Sequence, residues 1–465
     1  MKKILVFGAG MSAWYAIKYL ADNAQAKQWQ ISVADASQGN LNASKNDFPN
    51  IKTILADVFK DEERETLVSS NDIIISLLPA HFHILIANDC VRFGVHLITP
   101  SYVTNEMNRL NAAASSKNIT ILNEIGLDPG IDHLSSMNII HRLKEEGANI
   151  TSYKSFCGGL VSLESSDNPW QYKFTWNPYN VIRAGSDGAV YKSDNQFKYI
   201  PYHHLFKEIQ SVSFRSVGTQ TEERRGSGLS GDRPGSGATQ TEERERRAES
   251  EAAGEYFDMY LNRDSTRYTI LYGLEEVPTF LRGTLRYPGF CKKWASLIDA
   301  GLTSDKIEIS IPEMNWSQYL KGFSHEELTD PEVIKAWEWL FKDAGNIALK
   351  TATPAANLQK LLETKWKMNP NDKDRVVMLH EFGFEKGGIK YMLKSYMEAI
   401  GENATKTAMA KTVGLPLAIA AGLIAEGVIK TFGVILPVIP EVYKPLLEAL
   451  ATEGISFKEE LSVIS

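Results

Sequence analysis

The run KKILVFGAG, followed at once by MSAWYAIKYLADNA, constrains this chain more than any other stretch. A short apolar run that breaks into Gly8-Ala9-Gly10 reads as a buried strand ending in a tight turn. Apolar residues then recur at helical spacing, with Trp14, Ile17 and Leu20 on one side. The pattern is Gly-x-Gly-x-x-Ala at a strand-to-helix junction. Gly8 tightens the turn, Gly10 lets a pyrophosphate approach the backbone, and Ala13 packs helix on strand. With Met11 and Ser12 these residues open a helix whose first N–H groups suit phosphate. The chain therefore begins with a dinucleotide-binding α/β unit of the Rossmann type.

Strand-and-helix alternation continues. QISVAD ends in Asp35, an acid suited to ribose hydroxyls and repulsive to an additional 2′-phosphate. No arginine follows immediately, and Lys45 is the next cation along the chain, so NAD is expected, with NADP as the second candidate. IKTILAD leads to Asp57 and Val58, placed for the adenine. Ligands of an open parallel sheet sit beyond the carboxyl ends of its strands. Ser76 and Leu77 after one strand, and Pro100, Ser101 and Tyr102 after the next, are thus expected to line the cofactor cleft. NITILNEIGLDPGIDHL puts Asp128 at a strand end facing the nicotinamide, with Pro129 and Gly130 turning the chain into a helix. Asp132 is expected to cap that helix, and Asp132 and His133 read as structural. KFTWNP reads as a bending strand that brings Thr175 over the nicotinamide, with Trp176 in the core.

The 465 residues, 43% of them apolar, suffice for two or three domains. A net charge of −7 and a pI near 5.8 leave no basic field for nucleic acid. Cys90, Cys157 and Cys291 form no CxxC pair, and the short N-terminal apolar run is no signal peptide, so a reduced, cytoplasmic protein is expected. His203-His204 lacks a third ligand at metal spacing, and no metal is expected. The late apolar run around VGLPLAIAAGLIAEGVIK is interrupted by Pro416, Glu426 and Lys430, and reads as a core helix rather than a membrane span. Residues 215–254 change character. They lack aromatics, are rich in Gly, Ser, Glu and Arg, and repeat TQTEER, the composition of a disordered linker. The Thr-Gln-Thr pattern at 216–223 and 237–243 also resembles peptides that add a strand to dynein light chain, an interaction-scaffold reading set beside that of an inert linker.

GAGMSA, TPSYVT, NEIGLDPGIDHL, NPWQYKFTW, YLNRDSTRY and LRGTLRYPGF, in this order, resemble the glutamate-forming saccharopine dehydrogenases, also called saccharopine reductases. Asp35 departs from the arginine-containing loop of NADP-using members, and Pro100 from a usually small, polar loop. The resemblance implies a Rossmann domain from both chain ends (1–130 and about 400–465) and an α+β substrate and dimerisation domain (about 131–285 and 375–399). It also implies a helical domain over about 286–374. A homodimer that oxidises saccharopine to L-glutamate and 2-aminoadipate semialdehyde in lysine metabolism is the expectation. The substrate contacts it implies are Ser101, Tyr102, Arg263, Thr284, Leu285 and Arg286, the arginines as forks for carboxylates. Asp128 and Tyr102 are the candidates for proton handling, with Cys157 a weaker one. A related amine–aldehyde reductase, such as a carboxynorspermidine dehydrogenase, is the alternative enzyme.

Overall fold

A computed structural model describes residues 1–215, 255–310, 314–323 and 328–464. Two sheets organise them. The first has seven parallel strands in the order β15-β6-β5-β4-β1-β2-β3. These are β1 (Lys2–Phe7), β2 (Trp29–Asp35), β3 (Lys52–Leu55), β4 (Ile73–Ser76), β5 (His96–Ile98), β6 (Thr120–Leu122) and β15 (Gly433–Ile435). The second is mixed and runs β10-β11-β12-β7-β13-β14-β16. Its strands are β7 (Asn149–Val161), β10 (Gln210–Phe214), β11 (Glu255–Leu261), β12 (Thr279–Arg286), β13 (Asp374–Lys386), β14 (Ile389–Ile400) and β16 (Lys458–Ile464). A hairpin of β8 (Ala189–Ser193) and β9 (Gln196–Ile200) hangs on β12.

Strand alternation sorts side chains into three cores. In β1, Ile4 and Val6 face one core while Leu5 and Phe7 face another on the far side of the first sheet. In β7, Tyr153 and Cys157 join the core of Ile4 and Val6, whereas Phe156 and Leu160 face a third. Val376 and Met378 of β13 divide from Val377 and Leu379 in the same way. The two sheets therefore share a middle core, filled largely by the helix Ile131–Glu145 with Leu134, Ile140 and Leu143 fully or almost fully buried. Each such side chain stabilises the fold by about 1.5–3 kcal/mol. The third core carries the helices Phe290–Asp299, Pro331–Phe341 and Pro354–Lys365, with Trp294, Trp337, Leu358 and Leu361 packed inside.

The apolar run near the C-terminus is the helix Ala408–Ala425, and it packs against the helix Trp14–Lys27 inside the middle core. Thr407 caps it through the Ala410 N–H, and the Asp374 carboxylate accepts from the N–H groups of Ala408 and Met409 at 2.6 and 2.9 Å. β15 then adds to the edge of the first sheet at β6. The final strand does not follow it. Expected with the first domain, β16 pairs antiparallel with β14 in the second sheet, so the chain crosses back once more. KFTWNP is also not a strand, because Trp170, Tyr172 and Phe174 pack around Trp366 as an irregular segment. Phe214 of β10 is paired with Glu255 of β11, so the 216–254 segment connects two neighbouring strand ends. The Thr-Gln-Thr repeats and the dynein light chain reading lie in 216–254, outside the described residues.

Gly414 lets the two helices of the first domain meet. A Cβ there would lie 2.9 Å from the Ala16 nitrogen and 3.0 Å from the Ser12 carbonyl oxygen, both backbone atoms. Alanine is the better helix former by about 1 kcal/mol, but overpacking costs about 1–3 kcal/mol. Gly414→Ala is therefore expected to lower the denaturation midpoint and, by displacing Ser12, to weaken dinucleotide binding. Chemical denaturation and cofactor titration check both.

Candidate functional site

The glycine turn has the geometry its spacing predicts. Gly8 has φ 98°, and a Cβ there would lie 3.0 Å from the Leu77 carbonyl oxygen, so only glycine fits without strain. Around Gly10 a Cβ would meet nothing within 4 Å. That open space lies before a helix with no side-chain cap and no acid in its first turn, which fits a pyrophosphate. Met11 is exposed, Ser12 half-buried and Ala13 buried. Asp35 stands beside the turn, where its carboxylate accepts from the Ala9 N–H and the Ser37 N–H, each at 2.7 Å. Lys45 donates to the carbonyls of Pro49 and Ile51 at 2.7 Å, so it is not turned to Asp35. Asp57 is exposed and Val58 half-buried at the end of β3.

Ser76 differs from its expected role in the cleft lining. It has no exposed surface, and its Oγ bonds His83 Nδ1 at 2.8 Å. His83 Nε2 reaches Ser101 Oγ, also at 2.8 Å. Burial pushes the imidazole down to about 4, so a neutral ring ties β4 to the loop after β5. Leu77 and Pro100 remain half-buried, and a Cβ at Gly126 would lie 2.9 Å from the Pro100 side chain. Pro100 thus backs the loop that carries Asp128.

That loop is longer than the sequence reading places it. β6 ends at Leu122, and Asp128 sits well past the strand end, before a cis bond to Pro129 and Gly130 at φ 149°. Asp132 is not the helix cap. It lies within the first turn, accepts from the Gly130 N–H at 2.6 Å and binds Arg282 Nη2 at 2.5 Å. Arg282 Nη2 also bonds Asp128. The two acids are unequal, because Asp128 keeps 14% of its side chain exposed and Asp132 none. Burial pushes the Asp128 carboxyl up to about 6 in spite of Arg282, with the Asp132 charge adding to the rise. Asp132 is held low against its own burial by neighbouring positive charge and the Gly130 N–H. Asp128 is therefore the member of the pair that can exchange a proton near neutrality.

The second domain faces this loop with β12. Arg282, Thr284 and Arg286 alternate onto one face with Cys157 of β7, which is paired with Thr284. Leu285 points the other way, into the third core with no exposure, so its side chain is not open to a ligand on the face of Thr284. Arg286 is 4% exposed and stacks near the rings of Tyr172, Tyr260 and Phe290 at 5.2–5.7 Å. Its Nη1 donates to the Leu285 carbonyl at 2.8 Å, its Nε has no partner, and it meets no carboxylate among the described residues. A buried guanidinium without an anion is costly, and a substrate carboxylate offsets that cost. Arg263 is exposed and lies over Tyr102 at 5.0 Å, with Arg267 at 6.0 Å. Burial raises the Tyr102 phenol well above its usual range, so it remains a donor at neutral pH. Burial likewise raises Cys157, which stays a thiol. Thr175 is buried beside a half-buried Trp176. Among the described residues no group of three His, Cys, Asp or Glu is arranged for a metal.

Sequence reasoning missed His83, Glu124, Arg267 and Tyr268. Glu124 and His133 were visible inside NEIGLDPGIDHL, but only folding shows that they meet, at 3.0 Å.

A dinucleotide turn facing a buried set of carboxylates and guanidinium groups defines a nicotinamide-dependent oxidoreductase. Residues 4–122 match the model of the saccharopine dehydrogenase NADP binding domain, and residues 126–455 that of the saccharopine dehydrogenase C-terminal domain. The chain belongs to the saccharopine dehydrogenase family. It is 30% identical to saccharopine dehydrogenase [NADP(+), L-glutamate-forming] of Saccharomyces cerevisiae over 99% of both chains. It is 31% identical to the mitochondrial alpha-aminoadipic semialdehyde synthase of Rattus norvegicus, over 99% of this chain but 48% of that protein, so it spans about half the length of that relative. The apo yeast saccharopine dehydrogenase (L-Glu forming) superposes with a TM-score of 0.81 at 27% identity, over 99% of this chain and all of that one.

Arg282 holds two buried acids, so its loss strands both. Arg282→Met is expected to destabilise the protein by about 3–5 kcal/mol at neutral pH, with the deficit shrinking as acid protonates the carboxylates. Urea unfolding at neutral and mildly acidic pH checks the sign.

Proposed function

We propose that this chain oxidises L-saccharopine at its secondary amine, giving L-glutamate and L-2-aminoadipate 6-semialdehyde. Saccharopine carries three carboxylates, and the observation that supports it most is Arg286, buried among aromatic rings and paired with no carboxylate among the described residues. Arg263 at the cleft mouth offers a second cation. A substrate with a single carboxylate and more amines would leave one of the two arginines unmatched, which ranks the carboxynorspermidine-type alternative lower.

The bound dinucleotide supplies the hydride acceptor, held by Gly8, Gly10 and the helix behind them. The chain's own residues orient and move protons. Arg286 and Arg263 hold carboxylates. Asp128, partly exposed and raised to about 6, takes the amine proton as the C–N bond becomes an imine, or guides water onto it. Tyr102 donates a hydrogen bond from the first domain. Water then adds to the imine carbon and the C–N bond breaks to free the glutamate amine.

Purified protein given saccharopine and a nicotinamide cofactor is expected to make reduced cofactor and glutamate in equal amounts. No turnover with either cofactor would refute the reading. Since kcat/KM reports the free enzyme, it is expected to rise as pH climbs through about 6, where Asp128 loses its proton. Asp128→Asn should flatten that limb and lower kcat/KM roughly ten- to a thousandfold, about 1.4–4 kcal/mol, with cofactor affinity little changed.

For the cofactor we propose NAD. The Asp35 carboxylate lies against the glycine turn and is ion-paired with no cation among the described residues, so the 2′-phosphate of NADP would meet negative charge. The yeast relative is named for NADP(+), and this chain would differ from it there. With both cofactors at limiting concentration, kcat/KM is expected to be higher for NAD, and Asp35→Ala to narrow the ratio. A higher value for NADP in the unmodified protein sinks this assignment.

A further inference from the structure

Glu124 is fully buried in the loop after β6, with a left-handed backbone at φ 55° that a glutamate adopts only where its surroundings hold it. Its hydrogen bonds straddle Tyr102. The Glu124 backbone N–H donates to the Ser101 carbonyl at 3.1 Å, and its Oε1 accepts from the Val103 N–H at 2.9 Å. The residues on either side of Tyr102 are thus tied to one glutamate. Its other oxygen accepts from the Tyr268 O–H at 2.9 Å and meets His133 Nε2 at 3.0 Å.

Each of those partners leads to Asp128. The Tyr268 ring lies 4.7 Å from the Arg282 guanidinium, which binds Asp128. His133 stands in the helix that begins just after the Asp128 loop, with its Nδ1 fixed by the Tyr272 O–H at 2.6 Å. Arg267 reaches Oε1 at 3.5 Å. Burial alone would raise the Glu124 carboxyl, yet the His133 and Val103 hydrogen bonds and Arg267 keep it below its usual range.

We propose that Glu124 is a positioning residue that sets Tyr102 of the first domain and Asp128 in one frame, through the reach of its side chain rather than its charge. A group placed about 1 Å off costs as much as a hundredfold in rate, and the Tyr102 loop has no other side-chain carboxylate bonded to its backbone among the described residues. The inference rests on the saccharopine reading only for its kinetic arm.

Reach and charge separate by substitution. Glu124→Gln keeps the length, an acceptor for the Val103 N–H and, through its amide N–H, a bond to the Tyr268 hydroxyl oxygen. Glu124→Asp keeps the charge and withdraws the oxygens by one methylene. We expect Glu124→Gln to stay within about threefold of wild-type kcat and Glu124→Asp to lose roughly ten- to a hundredfold in kcat, with the KM for NAD unchanged. Wild-type kcat in Glu124→Asp, or a greater loss in Glu124→Gln, overturns the proposal. Hydrogen exchange at the Val103 amide reads the clamp without any substrate. It should be about tenfold or more faster in Glu124→Asp than in wild type, and equal protection overturns the proposal whether or not saccharopine is turned over. Should Glu124→Asp fail to fold, Tyr268→Phe removes one bond to the same carboxylate. A several-fold fall in kcat at unchanged KM for NAD supports the clamp, and an unchanged kcat removes it.

Discussion

The guanidinium of Arg282 is the interaction on which the rest turns. It belongs to β12 of the second sheet, yet both its carboxylate partners, Asp128 and Asp132, lie on the segment leaving the first sheet. Two acids and one cation buried together carry a net negative charge, and the inequality of their environments decides where it goes. Asp132 has the Gly130 N–H and the first turn of a helix to hold its charge. Asp128 has less, and its carboxyl rises. A single ion-pair set thereby joins two domains and singles out one proton-exchanging group.

The layering of the sheets explains why the site lies there. A core common to both sheets, with the helix Ile131–Glu145 within it, makes the seam between the domains a packed interior and not a loose contact. Beside that apolar filling stand the half-buried Tyr102 and Thr284, the exposed Arg263 and the buried Arg286. The aromatic rings that flank Arg286 come from the third core, so the helical part of the chain shapes the site while standing behind it.

Periodicity made much of this legible. The glycine turn, the alternation of strands and helices, and the burial of the late apolar helix all follow from local pattern, because each depends on neighbours in the chain. What did not follow was pairing across the fold. The final strand carries no mark of which sheet it joins, since LSV alternates equally well at either edge. Asp132 read as a cap because caps are a local habit, whereas its true partner stands far along the chain at Arg282. Ser76 sat at a strand end where ligands gather, and a histidine seven positions later closed it off. Leu285 lay inside a motif whose even positions share the face of Cys157, and its odd position turned it into the third core. The residues 311–313 and 324–327 bear on none of these readings.

The alternation along β12 has a consequence for substitution. Leu281 and Leu285 pack into the third core with its helical layer, while Thr284, one position from Leu285, is half-buried and shares the opposite face with Cys157. One strand thus carries core packing and polar surface on alternate residues. A substitution at Thr284 is therefore expected to leave the packing of Leu281 and Leu285 intact.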